Sequence, residues 1–174
     1  MPDPDVPRYR LSKIANVLGM SPNIVHNWLN SPQRVFALSD EDEAAVGSGG
    51  NHRFTFESAL RIGILRACSE HGLPPSKGVN VVMSYMETGS DTHWNGKRYR
   101  RAPGQDFKGG VQTVLVLSKA YSPHGFTIIP CATDDSWVSL IGVHMLGAAV
   151  INLTALRNAL REYLDAPTSE DRQT

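Results

Sequence analysis

The chain has 174 residues, of which 41% are hydrophobic and 20% charged, so a packed core is expected and wholesale disorder is excluded. Lys plus Arg and Asp plus Glu each total 17, which excludes a globally basic protein but leaves room for a local basic face. Cys68 and Cys131 lie in apolar stretches, which does not fit a disulfide framework. No apolar run reaches the roughly 18 residues of a membrane span, and the acidic, Pro-rich start does not resemble a signal peptide. We therefore expect a cytoplasmic protein with no membrane partner.

The pattern after a loose arm at residues 1–8 predicts two short helices. Apolar residues recur at helical spacing from Leu11 to Leu18, and Gly19 suits a helix end. Ser21-Pro22 is typical of a helix start, and Asn30-Ser31-Pro32 ends the second helix. Its predicted inward positions are Ile24, Val25, Trp28 and Leu29, and its predicted outward positions are Ser21, Asn23, His26 and Asn27.

Two short helices joined by a turn give the outline of a helix-turn-helix, whose second helix can enter the major groove of DNA. The outward residues are polar and can hydrogen-bond to phosphates or base edges. An αα-hairpin in any helical domain is the alternative interpretation.

A wing is predicted next. Val35–Leu38 and residues 52–55 are strand candidates that would pair as a hairpin with a long loop. Arg34, His52 and Arg53 would then contact phosphates. The acidic run Asp40–Glu43 would have to point away from DNA, cover a partner or form solvated surface.

Two longer helices follow the wing. The first begins at Thr55 or Ser58 and closes at His71-Gly72. The second begins at Ser76 and extends to about Met86, with an inward stripe of Val79, Val82, Met83 and Met86.

Six segments of residues 9–88 form a distinctive series of motifs. They are Tyr9-Arg10-Leu11-Ser12-Lys13-Ile14-Ala15, Leu18-Gly19-Met20-Ser21, Val25-His26-Asn27-Trp28, Arg53-Phe54-Thr55, Leu60-Arg61-Ile62 and His71-Gly72-Leu73. With these motifs and this order of elements, residues 9–88 resemble the DNA-binding domain of the MerR family. The resemblance implies a winged helix-turn-helix that reads duplex DNA, and it adds Ser12 and Lys13 to the candidate DNA contacts. The loop at 39–51 is longer than in that family, and no long dimerisation helix follows the domain.

A polar and basic connecting segment occupies residues 89–110. Asn95-Gly96 predicts a hairpin turn, and the densest basic cluster follows it. Its cations are Lys97, Arg98, Arg100 and Arg101. They would contact phosphates or, alternatively, solvate a hairpin and pair with Asp91 and Asp106.

The sequence of residues 111–165 predicts a small α+β module. The sequence of residues 166–174 predicts a disordered tail. Strands are expected at 111–117, 126–130, 137–141 and 148–151. Asn152 or Thr154 would cap a final helix with the apolar stripe Leu153, Leu156, Leu160 and Leu164. The predicted fold class is α+β: an N-terminal winged helix-turn-helix, then a mostly antiparallel sheet with a terminal helix. The module would serve dimerisation or ligand binding.

The function predicted from these features is a transcriptional regulator that binds double-stranded DNA as a homodimer. No Gly-rich phosphate loop, GxSxG or HExxH motif occurs, so we expect no catalytic residue, no metal and no cofactor. Asp134-Asp135 is expected to be a solvated turn, and His144 a core histidine. The alternatives are a phage-type DNA packaging or recombination accessory protein, a small-molecule sensor or enzyme centred on the sheet, and a protein–protein adaptor. No small-molecule effector is identified.

Overall fold

The structure, a computed structural model, describes residues 6–30, 35–44, 52–94, 96–118, 124–132 and 148–166. Within these ranges the chain is mixed α+β, with five helices and three small antiparallel sheets. No helix in the described part is long and apolar enough to cross a membrane. In chain order the elements are β1 (Tyr9–Arg10), α1 (Leu11–Val17), α2 (Pro22–Leu29), β2 (Arg53–Phe54), α3 (Phe56–Glu70), α4 (Pro75–Met86), β3 (Ser90–Trp94), β4 (Lys97–Arg101), β5 (Gln112–Leu117), β6 (Phe126–Cys131), β7 (Ala149–Asn152) and α5 (Leu153–Asp165).

Local sequence signals set several helix ends where the sequence predicts them. Pro22 is the first residue of α2. Thr55 caps α3, because its side chain accepts a hydrogen bond from the Ser58 N–H at 3.1 Å. Gly72 follows α3 with φ +79°, a conformation that glycine adopts without strain. Asn152 caps α5 by accepting from the Ala155 N–H at 2.9 Å.

The predicted strand at Val35–Leu38 is wrong. Val35 and Phe36 are buried, and the Phe36 N–H donates to the Trp28 carbonyl oxygen of α2 at 3.3 Å. This hydrogen bond ties the segment to α2 and not to a neighbouring strand. β2 instead pairs with β1 in antiparallel register, Tyr9 opposite Phe54 and Arg10 opposite Arg53. Glu43 contributes one isolated bridge to Arg53.

The inward face of α4 is shifted from the predicted one. Its buried residues are Gly78, Val81, Val82, Tyr85 and Met86. Met83, predicted to lie in the core, is 47% exposed. A Cβ at position 78 would lie 3.1 Å from Leu65 Cδ2, so the small residue brings α4 close to α3.

The C-terminal sheet has the strand order β6-β5-β7, with antiparallel pairing on both sides of β5. Leu115 and Leu117 on one face of β5 join the main core, while Val114 and Val116 on the other face join a second cluster. Three of the four predicted strands are confirmed, with ends within two residues of the expected ones. Residues 137–141 lie outside the described part.

The terminal helix joins the two predicted halves into one core. Leu160 and Leu164 of α5 are each 1% exposed and belong to the same cluster as Ile14 and Leu60. The Tyr9 hydroxyl donates to Asp165 Oδ1 at 2.5 Å, and burial together with this bond raises the pKa of Tyr9 to about 12. Segments 9–88 and 111–165 therefore share the main hydrophobic core.

Candidate nucleic-acid interface

Helix α2 presents a polar face that is held in place by a buried one. Val25 and Trp28 are buried, whereas Ser21, Asn23, His26 and Asn27 are exposed. The sequence assigned all six to these sides, but Ile24, expected to be inward, is 38% exposed at the margin of the polar face. Amide and imidazole groups on a rigid helix can hydrogen-bond to base edges.

The residue before β2 lies beside α2. The rings of His26 and His52 have centroids 6.3 Å apart, and the His52 ring lies 6.1 Å from that of Phe54. Phe54 is fully buried, so it anchors β2, which contains Arg53 and directly follows His52. The structure thus brings together two candidate contacts, His26 and His52, that are far apart in the sequence.

A pair of arginines on the β1–β2 ribbon extends this surface. Arg10 and Arg53 are direct partners across the two strands, and both are exposed. Like charges at directly opposite positions destabilise a strand pair, and a bound anion would relieve that repulsion. Glu43 Oε2 lies 3.8 Å from Arg53 Nε and offsets part of the charge.

Arg10 was not among the predicted contacts. Its pairing with Arg53 depends on a non-local strand contact, which has no local sequence signature. One signal was present: residues 6–30 contain Arg8, Arg10 and Lys13 but no Asp or Glu. This segment is therefore locally basic although the chain has no net charge.

Two candidate contacts in α1 have different environments. Ser12 is exposed, whereas Lys13 Nζ donates to the Ala166 carbonyl oxygen at 2.9 Å, just after α5. This bond directs Lys13 toward the end of α5. Arg34 lies outside the described residues.

The basic hairpin uses two of its arginines internally. Arg98 donates from Nε to Asp91 Oδ1 at 2.8 Å and from Nη2 to Asp91 Oδ2 at 2.5 Å, and Arg100 Nε donates to Oδ2 at 2.9 Å. The hydrogen bonds from Arg98 lower the pKa of Asp91 to about 2. Arg98 and Arg100 therefore both pair with Asp91, and phosphate contacts by them stay a prediction. Asp106 instead accepts from the Tyr85 hydroxyl at 2.9 Å.

Arg101 does not belong to the exposed basic surface. It is 6% exposed and donates to the carbonyl oxygens of Tyr85 and Ser84 at 2.8 and 2.9 Å. These carbonyls lie in the last turn of α4, where a cation is favourable. The predicted phosphate contact of Arg101 is therefore wrong, because its guanidinium binds the C-terminal end of α4 inside the fold.

The acidic run contains a structural carboxylate. Asp42 Oδ1 accepts from the Thr55 N–H at 2.8 Å, and Oδ2 accepts from the Ser39 N–H at 2.9 Å and from the Ser58 hydroxyl at 2.6 Å. Ser58 is fully buried. Asp42 therefore fixes segment 35–44 against the start of α3, next to β2.

Replacing Asp42 with Ala is expected to lower the free energy of unfolding by about 2 kcal/mol, because a buried hydroxyl and two backbone N–H groups lose their acceptor. Urea denaturation followed by circular dichroism measures the effect. Asp40→Ala is the matched control, since Asp40 is exposed in the same run. Equal midpoints for the two variants would contradict the assignment.

The described residues contain no group of three or more His, Cys, Asp or Glu that could hold a metal ion. Burial raises the pKa of the Cys68 thiol to about 12, so it stays protonated and unreactive at neutral pH. Asp134, Asp135 and His144 lie outside the described part.

Comparison with known proteins adds no family. No model of a known protein family matches the chain, and no curated protein sequence matches it. The function is therefore inferred from the exposed side chains of α2 and of the β1–β2 ribbon.

Proposed function

We propose that this protein is a transcriptional regulator that binds duplex DNA, with α1, the turn and α2 acting as a helix-turn-helix. The observation that carries the proposal is the polar face of α2, anchored by Val25 and Trp28 in a segment without acidic residues. The MerR-like order of motifs over residues 9–88 supports it. In this proposal the β1–β2 ribbon and segment 35–44 take the place of the wing.

The DNA contacts divide into two kinds by their chemistry. Asn23, His26 and Asn27 lie on α2 and would hydrogen-bond to base edges in the major groove. Arg10 and Arg53 lie on the ribbon and would bind flanking phosphates, which position the helix without reading sequence. The phosphate contacts supply affinity that depends on salt, and the base contacts supply preference.

A homodimer belongs to the proposal, because two recognition helices on two half-sites gain affinity through effective concentration. The apolar stripe of α5 is used within the chain, so the dimer contact lies on another surface. Two chains per duplex is the expected stoichiometry.

The base contacts are tested by Asn23→Ala, His26→Ala and Asn27→Ala, after a preferred duplex has been selected from a randomised pool. Removal of a base contact is expected to reduce the preference for that duplex over random DNA by roughly 1–3 kcal/mol. Competition titrations by fluorescence anisotropy measure it, and Asn80→Ala, exposed on α4, is the matched control. If all three variants keep the wild-type preference, α2 does not read DNA.

The phosphate contacts are tested in the same titrations with Arg10→Gln. Because this variant removes one phosphate contact, the slope of log affinity against log salt should fall by about 0.9, with base preference retained. Lys77→Gln removes one exposed cation from α4 and serves as the control. Absence of any DNA binding by the folded wild-type chain would favour the adaptor alternative.

A further inference from the structure

A shallow groove lies between the basic hairpin and the loop that leads into β5. It is lined by Lys97, Arg98 and Tyr99 of β4 and by Lys108, Gly109 and Gly110 of the loop. Val111, which follows the loop, and Ala132, which follows β6, complete the lining. We call it the β4 groove. It is built from residues outside α1, α2 and the β1–β2 ribbon, so it is separate from the surface described above.

The residues that line the β4 groove carry a net positive charge. Three of its lining residues are cations and none is acidic. Arg98 is paired with Asp91, but Lys97 and Lys108 are exposed and have no ion pair with any described residue. Two free ammonium groups therefore face one depression.

The backbone of the loop is open at the same place. Gly109 and Gly110 have φ of +100° and +74°, and a Cβ built on either would meet nothing within 4 Å. The preceding residues are held, because the Lys108 N–H donates to the Arg100 carbonyl oxygen at 3.0 Å and the Phe107 N–H to Thr113 Oγ1 at 2.9 Å. Neither glycine N–H has an acceptor among the described residues.

Free ammonium groups beside uncovered peptide N–H groups form the donor set that proteins use for phosphate. Positive φ in two successive residues favours glycine, and glycine leaves the peptide groups accessible to an anion. We propose that the β4 groove binds a phosphate group through Lys97, Lys108 and the backbone of Gly109 and Gly110. The phosphate is carried by the backbone of DNA, in which case the inference rests on the proposed function, or by a free phosphate compound.

The DNA source is tested with Lys97→Gln and Lys108→Gln in salt-dependent anisotropy titrations on a random-sequence duplex. Each variant is expected to lower the log–log salt slope by about 0.9 relative to wild type, while Lys77→Gln leaves it unchanged. Circular dichroism confirms that each variant is folded. Slopes equal to that of Lys77→Gln would overturn the DNA source.

The phosphate source is tested independently of DNA, by titrating inorganic phosphate into the full chain and recording amide resonances by NMR. The Gly109 and Gly110 resonances are expected to shift saturably, and Lys108→Gln should weaken that response at least several-fold. A shift without any effect of the lysine variants on DNA binding supports a free phosphate ligand. Absence of both the salt-slope effect and the glycine shifts overturns the proposal, whereas failure of the α2 variants alone overturns only the proposed function.

Discussion

Replacing Leu160 with Ala is expected to lower the free energy of unfolding by about 3–5 kcal/mol, because it leaves a cavity where α5 meets α3. Leu160 is 1% exposed, and its Cδ1 lies 2.9 Å from a Cβ built on Gly63 of α3. The contact lies between the two halves that the sequence separates. Guanidinium denaturation of the full chain measures the change, and one cooperative transition is expected in both proteins.

A double-mutant cycle with Gly63→Ala locates that cavity. In the wild-type background the new Cβ presses on Leu160, which offsets the gain of about 1 kcal/mol from placing Ala in a helix interior. In the Leu160→Ala background the Cβ enters the vacated space, so Gly63→Ala is expected to be stabilising. Leu164→Ala is the control, since its side chain is not among the nearest neighbours of position 63. Additive effects of Gly63→Ala and Leu160→Ala would show that the two helices do not meet there.

Elements with local signals could be predicted from the sequence. Thr55 and Gly72 bracket α3 through a cap and a left-handed turn, and the hairpin predicted from the Asn95-Gly96 dipeptide is the antiparallel pair of β3 and β4. The residues of β5 are mostly apolar and β-branched, which favours a strand that is buried on both faces. In each case the determining residues are neighbours in the chain.

Features that depend on distant pairing could not be predicted. β1 and β2 have two residues each, too few for a periodic pattern, and they pair across most of the N-terminal half. The apolar stripe of α5 predicts that one face of this helix is buried. It does not predict that this face packs against α1 and α3. The stripe fits a dimer interface equally well, because periodicity does not identify the surface that covers it.

The candidate site likewise combines features with a local sequence signal and features that depend on distant pairing. The exposed and buried faces of α2 follow from helical spacing, apart from Ile24 at the margin. Arg10 entered the site only through its partner across the ribbon, Arg53. Arg101 was misplaced because arginine is rarely buried, so a run of four basic residues in five positions reads as surface.

Arg101→Ala is expected to destabilise the fold by about 2–4 kcal/mol, the range for losing charged hydrogen bonds to buried backbone oxygens together with ring contacts. The guanidinium lies 5.2 Å from the centre of the Tyr85 ring and 6.0 Å from that of Phe107. Burial lowers the pKa of this guanidinium, but arginine remains charged, so its hydrogen-bond acceptors are required. Thermal and urea denaturation measure the destabilisation.

Arg98→Ala and Arg100→Ala are the matched controls, because both side chains are exposed on the same strand and pair only with an exposed carboxylate. Their free energies of unfolding are expected to stay close to that of wild type. Arg101→Lys should fall between wild type and Ala, since one ammonium replaces a planar group that reaches two carbonyls. Wild-type stability of Arg101→Ala would contradict its role at the end of α4. If Arg101→Ala is destabilising as expected, a variant that lacks Arg98, Arg100 and Arg101 is destabilised as well. Weaker DNA binding by that variant would then reflect unfolding as well as the removal of phosphate-binding cations. Lys97 and Lys108 are therefore the residues on which phosphate binding is measured.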